Sequence, residues 1–308
     1  MFSTQTIAEK NFYFPFIDGL RGIAVIMVLM VHTSQYVGND YPGSFSFKLS
    51  EFIVNGGARG VQLFFILSAF TLFSSSRARY HIDTYPKIDF YLRRAFRIFP
   101  FWFLMVLYMA FVTGTVHDIK RIILNLTFVF GFIRFIPNIE LVSPAWSLFV
   151  EETFYLMLPF LFLYIKNIYL AFKLFLITLL LAVLWLFSAY KIGIPNTGEF
   201  IFLFPFSQWF VFAIGITLYF LINSQNFKKL VLNVPANYLV LDSLAIITFF
   251  LGIVNTSRWG WMIVTFSFVF LFIASVPEKS ICGRLARMKL MMRFGVIAFQ
   301  FIYSIFLY

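Results

Sequence analysis

The chain has 308 residues, 61% of them hydrophobic and 22% aromatic, with a formal net charge of +11. Only 12% are charged, about half the share found in an ordinary soluble domain, and the mean hydropathy is +0.88. These values exclude a soluble enzyme or a nucleic-acid-binding module and leave a polytopic membrane protein, in which positive charge marks the cytoplasmic loops.

The N-terminal segment FYFPFIDGLRG has no small-residue cleavage site after an apolar core, so the first helix is expected to stay in the protein. Apolar runs long enough to cross a bilayer, roughly 17 to 25 residues, lie near 16–38, 58–75, 96–113, 144–165, 170–190, 203–222, 238–254, 259–276 and 294–308. The shorter run 122–136 is interrupted by Asn125, Gly131 and Arg134 and reads as re-entrant or interfacial. The expected fold is therefore an all-α transmembrane helical bundle of about nine to ten membrane helices. With 122–136 not crossing, 17 of the 24 Lys and Arg fall on the side of the N-terminus; Lys48, Arg59, Lys120, Arg121, Arg134, Lys191 and Arg258 fall on the other. That asymmetry predicts a cytoplasmic N-terminus.

The first run, DGLRGIAVIMVLMVHTS, carries charge where a membrane helix normally excludes it. Ionisable groups inside a bilayer cost several kcal/mol unless they face a partner or a cavity, so they mark function. Arg21 and His32 are eleven residues apart, about 1,100° of helix, which puts them on one face with about 16 Å of rise between them. Asp18 lies one turn before Arg21, close enough to pair with it.

The second run, GARGVQLFFILSAFTLF, holds Gln62 and Ser68 as isolated polar positions. The third opens as YLRRAFRIFPFWF, where Arg93, Arg94 and Arg97 open the helix on the inner side and Pro100 is expected within its first turns. Arg94 and Arg97 are three apart, so both guanidinium forks can converge on one anion such as phosphate. In SPAWSLFVEETFYLMLP, Ser143-Pro144 is a helix-start signal, and Ser147, Glu151 and Tyr155 share a face while Glu152 points about 100° away. Cys282, the lone cysteine, is expected in a loop and cannot form an internal disulfide. His32, His81 and His117 show no metal-ligand spacing, so no metal is expected.

Taken in order, DGLRGIAVIMVLMVHT, RGVQLFFILSAF, FYLRRAFRIFPFW and AWSLFVEETFYLMLP resemble the membrane-bound acyltransferase-3 family, integral-membrane O-acyltransferases of bacterial surface and secreted glycans. The resemblance is strongest over 16–165 and rests on hydropathy from 170 to 290. It implies that the R-x10-H pattern, Arg21 and His32, serves catalysis and that the R-x-x-R pattern, Arg94 and Arg97 beside Arg93, binds the acyl donor. The glutamate after WSL falls on Glu151, and the FFxLSG motif falls on Phe64, Phe65, Leu67 and Ser68. Two positions depart from the family pattern: Ala69 stands for its glycine, and Gln62 for a common acidic residue. The last residues, IYSIFLY, resemble the family's SYSIYLWH but stop before its histidine. This implies one acyltransferase-3-like domain over 1–308, either a shortened member of the family or one whose usual last helix lies beyond this sequence.

The reaction so implied transfers an acyl group, acetyl by resemblance, from cytoplasmic acetyl-CoA to a hydroxyl of a surface glycan such as an O-antigen, capsule or exopolysaccharide. His32 is expected as general base, because an imidazole titrates near working pH. Glu151 is expected to orient His32 or bind acceptor hydroxyls, and Ser68 to serve the developing oxyanion. The implied partners are a glycan or lipid-linked glycan acceptor and membrane lipids, with no nucleic acid, in the bacterial inner membrane. Intramembrane Arg, His and Glu also suit a transporter or flippase, or an inactive subunit of a polysaccharide export complex. No inverted pair of broken helices favours the transporter.

Overall fold

The computed structural model describes residues 14–34, 54, 56–80, 82–133, 136, 138–142, 145–192, 197–232, 234–254 and 260–301. All regular structure among them is helical. In chain order the elements are α1 (Pro15–Ser34), α2 (Gly60–Arg79), α3 (Pro86–Val112), α4 (Ile119–Leu126), a 3-10 turn (Val129–Phe132), α5 (Trp146–Tyr164), α6 (Ile168–Ile192), α7 (Thr197–Leu203) and α8 (Pro205–Asn223). A short helical and π-helical stretch over Gln225–Leu232 leads to α9 (Pro235–Val254), α10 (Gly260–Ser275), α11 (Ile281–Ala286) and α12 (Lys289–Phe301).

Seven of the described helical segments are long and apolar enough to cross a membrane: Pro15–Thr33, Gly60–Arg79, Pro86–Val112, Trp146–Tyr164, Ile168–Ala189, Phe200–Asn223 and Ala236–Val254. Of the two further runs expected to cross, the first is α10, with 16 residues, and the second falls on α12 and on 302–308, outside the described residues.

The awkward run near 122–136 is a broken segment. Helix α4 has eight residues, about 12 Å of rise against a hydrocarbon core of ~30 Å. Asp118 caps it by accepting from the Arg121 backbone N–H. Asn125, fully buried, then ties the segment together: its amide donates to the Arg121 and Ile139 carbonyls and accepts from the Leu141 N–H. Trp102 of α3 donates to the Asn125 carbonyl. The polar residue that interrupts the apolar pattern is thus a satisfied bridge, as buried amides must be.

Helix α3 begins ten residues before its predicted apolar run, because helix formation needs a start signal and backbone satisfaction rather than apolarity. Pro86 takes the first position and the Asp89 carboxylate accepts from the Tyr85 N–H. The arginines therefore lie inside the helix. Pro100 lies in its interior rather than in its first turns, where it removes one intrahelical hydrogen bond.

Helix α8 is the central post. In the span it anchors, Phe200–Asn223, 72% of residues are buried, against 17% in Ile168–Ala189 of α6; both are apolar all round, which suits a helix inside the bundle as well as one facing lipid. It packs against α2 and α6, while α1 packs against α2 and α12 and α9 against α10. Phe212 of α8 stacks on Phe65 of α2 at 4.5 Å and on Phe154 of α5 at 4.2 Å, so three helices share one dry aromatic column.

Two close backbone approaches need glycine. At the α1–α12 crossing, a Cβ on Gly22 would stand 2.0 Å from the Met291 carbonyl oxygen, and one on Gly295 would stand 1.7 Å from that of Asp18. At the α2–α8 contact, a Cβ on Gly215 would meet the Ile66 carbonyl oxygen at 2.3 Å and the Ala69 Cβ at 2.9 Å. The small residue that the family pattern places at 69 is therefore supplied by the facing helix, and Ala69 fits, fully buried, against it.

Candidate active site

Four helices converge on one polar cluster. From α1, Arg21 Nη1 donates to Asp18 Oδ1 at 3.0 Å, with only 15% and 12% of the two side chains exposed. Its Nη2 donates to Thr71 Oγ1 of α2, also at 3.0 Å. Thr71 is fixed in turn, since its hydroxyl donates to the Leu67 carbonyl at 2.7 Å. One turn earlier on α2, Ser68 Oγ donates to Glu151 Oε1 of α5 at 2.8 Å.

The same Glu151 oxygen accepts from the Tyr155 hydroxyl. Over the face of the Tyr155 ring lies the Arg94 guanidinium of α3, 5.5 Å from the centroid, a geometry in which a cation is attracted to the ring. Arg94 is one of three links along the α3–α5 seam: Lys87 Nζ sits 4.9 Å over Phe160, and the Tyr91 hydroxyl donates to the Leu156 carbonyl at 2.8 Å. Arg21 and Arg94 lie within electrostatic range of each other. The cluster runs continuously from Asp18 to Arg94, and its arginines place positive charge where an anion can be held.

The expected site residues therefore divide. Arg21, Ser68, Glu151 and Arg94 belong to the cluster. Arg97, part-buried, follows one turn along α3 from Arg94. Arg93 points elsewhere: its Nη2 is 2.7 Å from Asp83 Oδ2 on the exposed side of the helix. His32 is part-buried near the end of α1 and forms no hydrogen bond or ion pair with any described residue. Glu151, expected to orient His32 or bind acceptor hydroxyls, accepts from Ser68 and Tyr155. His81, Arg134, Ser143 and Pro144 lie outside the described residues.

One participant, Thr71, has no place in the sequence reading, and two that it names, Tyr155 and Glu152, acquire their neighbours only in the fold. Thr71 carries the signal of standing three residues after Ser68, on the same face of α2. Tyr155 shares a face with Glu151, but its link to Arg94 is a tertiary contact. Glu152 is mostly buried and its Oε1 has no hydrogen-bond partner; it lies within range of Arg94 and Glu151. Two further residues act outside the cluster. Asp242, buried in the apolar α9, accepts from the Ile281 and Cys282 backbone N–H groups at 2.9 and 3.1 Å, the first two of α11, beside the N-cap Ser280, which accepts from the Gly283 N–H. Cys282 is consequently in a helix rather than a loop, and burial together with the Asp242 carboxylate pushes its thiol up to about 12.

A family model described as an acyltransferase domain, acyltransferase-3, matches residues 14–305. The chain is 27% identical over 209 residues to the peptidoglycan O-acetyltransferase OatA of Listeria monocytogenes, which covers 61% of this chain and 31% of that protein. It is 29% identical over 160 residues to protein 2 in the picA locus of Rhizobium radiobacter, covering 45% of this chain and 76% of that one. The chain thus spans less than a third of the Listeria protein's length. No solved structure matches it.

Proposed function

The chain belongs to the acyltransferase-3 family, and from that premise we propose that it transfers an acetyl group from cytoplasmic acetyl-CoA to a hydroxyl of a glycan outside the bacterial inner membrane. The observation that carries this reading is the cluster itself: guanidinium groups of α1 and α3 and a carboxylate–hydroxyl pair of α5 and α2, all within a bundle of membrane-length helices. The acetyl group and the peptidoglycan acceptor are those in the name of the Listeria relative; a glycan or lipid-linked glycan is the corresponding acceptor class here.

In this account the whole chain works as one domain with its N-terminus in the cytoplasm. Arg94 and Arg97 hold the donor's phosphates and Arg21 assists from α1, while Arg93, neutralised by Asp83, stands at the edge of the site. Arginine suits this task because its fork pairs with phosphate oxygens. His32, about 16 Å further along α1, removes the proton from the acceptor hydroxyl as that oxygen attacks the thioester carbonyl, and the proton passes to the sulfur as the C–S bond breaks and coenzyme A leaves as the thiol. Ser68 serves the oxyanion once it exchanges its bond to Glu151 for one to the reacting oxygen. The offset between Arg21 and His32 lets donor and acceptor approach from opposite faces of the membrane.

The test is covalent. The full chain, reconstituted in liposomes with radiolabelled acetyl-CoA and the host's surface glycan, should move label onto the glycan as an alkali-labile ester. Glycan movement across the bilayer without label would favour a transporter and overturn the reading.

A further inference from the structure

We propose that Tyr155 is the positioning residue that couples the donor half of the site to its catalytic half; this rests on the acetyl-transfer reading above. The two halves lie on different helices. Arg94, on α3, meets the donor, whereas Ser68 and Glu151, on α2 and α5, belong to the chemistry. Tyr155 touches both: its ring carries the Arg94 guanidinium at 5.5 Å, and its hydroxyl donates to the Glu151 oxygen that also accepts from Ser68.

The phenol suits this place because its two contacts are separable. The ring face attracts the cation through its quadrupole, and the hydroxyl at the ring edge supplies the hydrogen bond. The two are also mutually dependent, since a charge on the ring face polarises the phenol that donates to Glu151. The side chain is only 4% exposed, and its neighbour Phe154 is stacked on Phe212, which anchors this turn of α5 to the central helix. A rigid side chain so held fixes the distance between Arg94 and Glu151. When donor phosphates draw on Arg94, the ring transmits the change to the carboxylate that holds Ser68. The adjacent Glu152, with an oxygen that no described residue bonds, offers Arg94 no such defined contact.

Because the contacts are separable, two substitutions divide them. Tyr155→Phe keeps the ring face and removes the hydroxyl; Tyr155→Leu removes both. In the purified full chain, acetyl-CoA affinity is measured by its concentration-dependent thermal protection, and transfer by ester acetate on the host glycan. Tyr155→Phe should bind acetyl-CoA within about twofold of wild type and lose roughly tenfold to a hundredfold in transfer at saturating donor. Tyr155→Leu should lose transfer and also weaken acetyl-CoA binding by roughly threefold to thirtyfold. The affinity losses of Tyr155→Leu and Arg94→Gln should be non-additive in the double variant, whereas those of Tyr155→Phe and Arg94→Gln should add. A purely structural role would lower thermal stability in both variants without this split.

Wild-type transfer by Tyr155→Phe, wild-type donor affinity in Tyr155→Leu, or equal affinity losses in the two variants would each overturn the inference alone. A wild-type chain that neither binds acetyl-CoA nor transfers acetate overturns the acetyl-transfer reading, and this inference with it.

Discussion

Arg21 is clamped to Thr71: its Nη2 donates to the threonine Oγ1 across 3.0 Å while Nη1 holds Asp18 at the same distance. The guanidinium is thereby fixed from its own helix and from α2. Thr71→Val keeps the side-chain shape and removes the acceptor, leaving a part-buried cation one partner short, which costs about 1.5–3 kcal/mol. The variant should bind acetyl-CoA more weakly in a thermal-shift titration, and Thr71→Ser should restore binding.

The α3 arginines make a graded prediction. Arg94→Ala with Arg97→Ala should abolish thermal protection by acetyl-CoA, and unchanged protection would remove them as the donor site. Arg93→Ala should change protection little, because Arg93 is engaged by Asp83 with 39% of its side chain exposed, and an exposed pair contributes roughly 0–1 kcal/mol.

The close approach of α2 and α8 predicts a packing effect separate from chemistry. Gly215→Val places new atoms against the Ile66 carbonyl and Ala69, and overpacking of this kind costs about 1–3 kcal/mol, occasionally more. The thermal midpoint of the purified protein should fall, with loss of the α2 residues Ser68 and Thr71 from register. Transfer should decline in parallel with folded fraction.

The α9–α11 junction predicts thiol behaviour. With its thiol pushed up to about 12 by burial and by Asp242, Cys282 is protonated at about pH 8 and should resist maleimide in the folded protein. Asp242→Ala removes the charge and the acceptor of the first two N–H groups of α11, while the N-cap Ser280 stays in place. Labelling should then accelerate, as followed by intact-protein mass spectrometry.

The sequence and the structure agree where one physical signal dominates. Hydropathy and length mark the membrane-length helices, and the three-residue spacing of Asp18 and Arg21 foretells their ion pair. The Arg94 turn and the Glu151–Tyr155 face were equally legible, because helical period alone decides them. What remained hidden depends on the partner helix. Ala69 departs from the family pattern in one dimension, but Gly215, 146 positions on, supplies the missing space. Asn125 resembles an interruption until Ile139 and Leu141 fold back onto it. Helix α3 starts at Pro86, a turn or two before the arginines expected to open it, because Pro86 and Asp89 begin it in polar sequence that hydropathy does not mark. Glu151 is expected to orient His32 or to bind acceptor hydroxyls, and the fold adds what helical period does not show, that one of its oxygens accepts from Ser68 and Tyr155. Adjacent carboxylates differ only in direction, and direction acquires meaning only from neighbours.

The central claim is that the stripe from Arg21 to His32 divides labour, with donor binding at one end and proton removal at the other. It is tested most directly by ester acetate on surface glycans of cells carrying His32→Ala, measured beside the purified variant's acetyl-CoA protection. The account predicts loss of glycan acetate with wild-type donor protection. Normal acetylation by a well-folded His32→Ala protein would contradict it.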